Sequence, residues 1–175
     1  EPILRDVVAA KPRLWEGQAQ LGTLLLMRRV EPAFLEWNAR LPSEARHPEI
    51  WVVRGHWAKS HAEVQVAARC FWEALRLEPN HRVANYQLGL MLRELNRLEQ
   101  AEPFLDRASQ LEKLSALVDR IYANPEVSSL LLEAAQLTEA LGRPWEAWGW
   151  ARAALQVQPD LREAHDLMER WQSQL

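Results

Sequence analysis

PEIWVVRGHWAKSHAEVQVAARCFWEALRLEPNH, residues 48–81, runs directly into RVANYQLGLMLRELNRLEQAEPFLDRASQLEK, residues 82–113, and the second stretch repeats the pattern of the first. Trp51, Gly55, Ala67, Phe71, Ala74 and Pro79 stand at fixed offsets from Pro48. Asn85, Leu88, Gly89, Leu92, Ala101, Leu105 and Ala108 stand at the same family of offsets from Arg82, and the two starts are 34 residues apart. Each residue type has a reason for its place. Helices approach to about 8–10 Å only where small side chains let their backbones come close, which is the role of Gly55, Gly89, Ala67, Ala74, Ala101 and Ala108. Trp51, Phe71, Leu88, Leu92 and Leu105 are the expected core residues that fill the holes. Proline has no N–H and restricts the residue before it, so a helix should end ahead of Pro79, with Asn80 and His81 in the turn.

A 34-residue period with a Leu-Gly pair in one helix and an Ala, large residue, Ala series in the next resembles the tetratricopeptide repeat. The resemblance covers most of residues 15–175 and implies an all-α, right-handed solenoid of helix-turn-helix units. Extended outward, the pattern assigns residues 1–12 to the tail helix of a preceding repeat, closed by Pro12. Residues 15–47 form a degenerate repeat that carries Leu21-Gly22 and restarts at Pro32, with Ala33 and Trp37 aligned by closing a one-residue gap. Residues 48–81 and 82–127 are the two regular repeats, and 128–159 is a further one with Ala135, Ala147, Ala151 and Ala154 at its small positions. Ser128 follows Arg82 by 46 residues, twelve more than the period. The surplus carries Leu111, Leu114, Leu117, Val118, Ile121 and Tyr122 at helical spacing, so the second helix of that repeat is expected to run on for about three turns. A short separate helix is the alternative. Residues 160–175 read as a capping helix with Asp160 as N-cap, Leu161, Ala164, Leu167, Met168 and Trp171 on one face and charges on the other.

Composition narrows the function. Hydrophobic residues make up 48% of the 175, and the net charge of −3 comes from interspersed acids and bases. That leaves no broad basic face for a phosphate backbone, which argues against a nucleic-acid partner. No apolar run approaches the roughly 20 residues that span a bilayer. Cys70 is the only cysteine, so no internal disulfide can form. The first residue is Glu1 and not methionine, so a longer parent protein is expected. The compartment is left open, because a targeting signal could lie outside these residues.

No catalytic constellation stands out. His47, His56, His61, His81 and His165 include no pair at the i, i+4 spacing of a helical zinc site. Phosphate-binding glycine loops, Gly-x-Ser-x-Gly and Cys-x-x-Cys are absent, and Glu94, Glu99, Glu133 and Glu139 are spread among arginines like a solvated face. The chain is therefore expected to be non-catalytic, with no cofactor or metal. The nine tryptophans suggest packing and interface roles; Trp145, Trp148 and Trp150 cannot all face one way on a single helix.

The resemblance implies a protein-interaction scaffold in which the first helices of the repeats line a groove that takes a peptide or protein partner. Transferred by position, the groove residues are Val52, His56 and Lys59, then Tyr86, Leu90 and Arg93, then Leu132, Gln136 and Glu139. The family's chaperone-binding carboxylate clamp has a basic residue and an asparagine where this chain has Val52 and His56, so that ligand is not expected. The alternative is self-association, or docking within a larger multidomain protein that could itself be an enzyme.

Overall fold

The computed structural model describes residues 2–42 and 45–172, and among them every regular element is an α-helix. The chain divides into two compact units, Glu1–Ala108 and Ser109–Leu175. The first holds α1 (Pro2–Ala10), α2 (Trp15–Met27), α3 (Glu31–Arg40), α4 (Pro48–Ser60), α5 (Val64–Leu77), α6 (Arg82–Glu94) and the start of α7 (Leu98–Ala123). The second holds the rest of α7, α8 (Ser128–Ala140), α9 (Pro144–Val157) and α10 (Arg162–Gln172). Ser43 and Glu44 of the loop after α3, Glu1, and the last three residues of the proposed capping segment lie outside the described residues.

Hairpins α2/α3, α4/α5 and α6/α7 close through glycine. A Cβ placed on Gly22 would come within 2.4 Å of the Trp37 ring, on Gly55 within 2.6 Å of Phe71, and on Gly89 within 2.6 Å of Leu105. No real contact is that short, so a bulky residue on the second helix can sit against the first only where the first has no side chain. In α8 and α9 the corresponding register positions are held by Ala135 and Ala151, both fully buried, so the volume is shared between two methyl groups.

The turn inside each hairpin has one conformation. Arg29, Ala62, Asn96 and Gly142 all have positive φ, 53°, 61°, 59° and 70°. After each of them the next N–H returns to a carbonyl five residues earlier: Val30 to Leu25, Glu63 to Ala58, Arg97 to Leu92 and Arg143 to Thr138. This is the Schellman closure, which satisfies carbonyls that a helix end otherwise leaves bare.

The connection between hairpins is tied by a second device. Near the start of the next helix, a side chain donates back to a carbonyl six residues earlier: Gln18 Nε2 to Pro12 (3.2 Å), Trp51 Nε1 to Ala45 (2.7 Å) and Asn85 Nδ2 to Pro79 (2.9 Å). In the second unit His165 Nε2 stands 2.8 Å from the Pro159 carbonyl. Trp51 is accordingly half-buried, with the Arg54 guanidinium 4.8 Å from its ring, and is not the core residue its signature position suggests. The indole N–H can meet the Ala45 carbonyl only if the ring stays at the helix edge.

In α7 one continuous helix of 26 residues, against 13 for α6 and 14 for α5, buries Leu111, Leu114, Leu117 and Ile121. Tyr122 falls outside that stripe and is 83% exposed. The last helix also begins later than its sequence suggests. The Leu161 carbonyl accepts the first helical bonds, from Ala164 (3.2 Å) and His165 (3.3 Å), so Leu161 and not Asp160 holds the N-cap position. Leu161 packs against the core of its unit, and that burial sets the register.

Candidate functional site

In the first unit α4 and α6 are joined by a hydrogen bond from Lys59 Nζ to Gln87 Oε1, 2.8 Å. The i, i+3 spacing puts His56 and Lys59 on one side of α4, and the i, i+4, i+7 spacing puts Tyr86, Leu90 and Arg93 on one face of α6. Tyr86 is 49% exposed. Leu90 is partly buried against the core, while Arg93 is exposed in the last turn of α6, where a cation also suits the helix dipole. His56 is half-buried and turns its ring edge-on to Phe71, 5.4 Å between centroids. Burial first, and the neighbouring Lys59 second, hold its pKa below the ordinary value, with Glu49 opposing them. The imidazole therefore resists protonation and serves as a neutral polar group.

Two of the nine expected groove residues have other work. Val52 is 5% exposed and lies in the core with Phe71, Ala84 and Leu88, so its side chain faces the packing and not a ligand. In the second unit Glu139 accepts from Arg170 Nε (3.3 Å) and Nη2 (3.0 Å) and from Trp171 Nε1 (3.0 Å), which fixes α10 to α8. Leu132 is partly buried in its core and Gln136 is exposed. The five residues on α4 and α6 thus form the candidate face, and α8 supplies Gln136 in its own unit.

The sequence places His81 only in a turn, but the structure gives it more to do. It is 8% exposed, and its Nδ1 accepts from the Ala84 N–H (3.2 Å), capping α6. Since Nδ1 accepts, the proton sits on Nε2, which lies 3.0 Å from Glu49 Oε1 and donates to it, tying the start of α6 to α4. Cys70 is buried, and burial raises its thiol pKa, away from nucleophilic use. Among the described residues no group of three or more His, Cys, Asp or Glu side chains could hold a metal ion, and no helix is long and apolar enough to cross a membrane. Trp145 is 66% exposed, whereas Trp150 is partly buried and lines a shallow cleft with Leu111, Leu114 and Val118 of α7.

No protein-family model matches the sequence, and neither does any curated protein. Solved structures do. YrrB, described as a TPR protein with an unusual peptide-binding site, is 18% identical with a TM-score of 0.54, over 95% of this chain and 97% of its own. TTC0263, a thermophilic TPR protein in Thermus thermophilus, is 20% identical with a TM-score of 0.52, over 98% and 87%. MamA is 18% identical with a TM-score of 0.50, over 89% and 85%. At such identities the likeness is one of fold.

Proposed function

We propose that this chain, whose fold is that of the tetratricopeptide-repeat proteins, is a non-catalytic scaffold that binds a peptide or protein partner on the face made by α4 and α6. One observation carries the reading: a half-exposed aromatic ring, Tyr86, and the apolar Leu90 stand with two exposed cationic handles, Lys59 and Arg93. Aromatic anchors with a nearby arginine are the residue types that dominate binding energy at interfaces. The arginine fork can also pair with a partner carboxylate in bidentate fashion. The peptide-binding site for which YrrB is described supports the same reading by likeness of fold.

Peptides selected on the immobilised chain from a displayed random library test it. Tyr86→Ala and Arg93→Ala should each weaken the selected peptides by about tenfold or more, equivalent to about 1.4 kcal/mol, with an unchanged melting curve. Affinities that stay the same in both variants contradict the proposal. Trp145 and Tyr122, both well exposed, favour self-association or docking within a larger protein as a second reading. Sedimentation that shows a monomer at every concentration, with or without Trp145→Ala, removes self-association.

A further inference from the structure

Between α1, α2 and α3 lies a cleft of about 620 Å³ that shares no residue with the α4–α6 face. Val8, Leu21, Leu25 and Leu41 form its apolar floor, and the ring of Trp37 stands among them with its Nε1 held by Gln18 Oε1 at 3.2 Å. The volume falls within the range of ligand pockets, about 300–1,000 Å³. Its lining carries both signs: Arg5, Arg13 and Arg40 with Asp6 and Glu36, the last paired to Arg40.

Its origin can be read from the repeats that follow. Across α5 and α7, Trp72 meets Phe104 edge-on with centroids 6.0 Å apart. Trp72 precedes Pro79 by seven residues and Phe104 directly precedes Leu105; Arg5 precedes Pro12 by seven and Glu36 directly precedes Trp37. The aromatic pair that spans α5 and α7 is thus replaced by an arginine and a glutamate on α1 and α3, both of which line the cleft. A mixed-sign lining disfavours a ligand with net charge, while the apolar floor and the Trp72–Phe104 pair at the equivalent positions of a later repeat call for an aromatic ring.

We infer that this cleft is a binding site for an aromatic side chain, tryptophan or phenylalanine, presented by a neutral stretch of a partner peptide. The bound ring takes the place that Trp72 and Phe104 fill further along the chain, and it packs on Trp37 in the offset or edge-on geometry aromatic pairs prefer.

The test uses the whole chain and two blocked tripeptides, acetyl-Gly-Trp-Gly-amide and acetyl-Gly-Ala-Gly-amide, followed by NMR at the indole N–H of Trp37. The tryptophan peptide should shift that resonance saturably, and the alanine peptide should bind at least about tenfold more weakly. Arg5→Trp combined with Glu36→Phe restores the aromatic pair and should abolish the shift while keeping or raising the melting temperature. Should that double variant fail to fold, Ala33→Phe fills the same cleft and carries the same expectation. Equal responses to the two peptides, no saturation, or a response that survives both fillings overturns the assignment. So does concentration-dependent self-association that disappears in Trp145→Ala, which would make the occupant a second copy of the chain.

Discussion

At the scale of single residues, glycines 55 and 149 separate the two reasons a helix can carry glycine. Gly55 lies in α4 where a Cβ would press on Phe71 at 2.6 Å, whereas Gly149 lies in α9 with nothing within 4 Å. Gly55→Ala should therefore destabilise by about 1–3 kcal/mol, the usual cost of overpacking. Gly149→Ala should stabilise by about 0.5–1 kcal/mol, because alanine loses less backbone freedom in a helix. Urea unfolding of the two variants measures both, and the signs should be opposite. Gly55 was legible as a packing residue because it recurs 34 residues later as Gly89 with its bulky partner recurring in step. The neighbouring assignments were less secure for a geometric reason. Adjacent helical residues differ by about 100° in direction, so a small rotation of α4 decides whether Trp51 or Val52 faces the core. It is Val52 that does.

At the scale of elements, the joints are as regular as the helices. Asn85 is 1% exposed and its Nδ2 serves two carbonyls, Pro79 at 2.9 Å and His81 at 3.0 Å, where the chain enters α6. Asn85→Leu keeps a similar volume but removes the donor, so it should cost about 1–3 kcal/mol, the penalty for leaving buried polar groups unpaired. Thermal unfolding followed by circular dichroism gives the number, and an unchanged melting temperature would show the tie to be incidental. These joints were hard to read in the sequence because different residues do the same work. Gln18, Trp51, Asn85 and His165 share a position and a reach of six residues but no residue type. The left-handed turn residues behave alike: only Gly142 announces itself, while Arg29, Ala62 and Asn96 take the same conformation because the Schellman closure offsets its strain. The Glu139 contacts with Arg170 and Trp171 join residues 31 and 32 apart, beyond the reach of any local pattern.

At the scale of the whole molecule, the helical-repeat fold was the most legible feature, since its period is written in residue size: small against large, every 34 positions through the best-formed repeats. Function is less legible because exposed residues such as Lys59, Tyr86 and Arg93 on the proposed α4–α6 face are not dictated by packing. The most direct test of that face follows the amide resonances of the isotopically labelled chain while a library-selected peptide is titrated in. Perturbations should concentrate on α4 and α6, at His56, Lys59, Tyr86, Leu90 and Arg93. Perturbations confined to α5, α7 and α9, with α4 and α6 silent, would contradict the account.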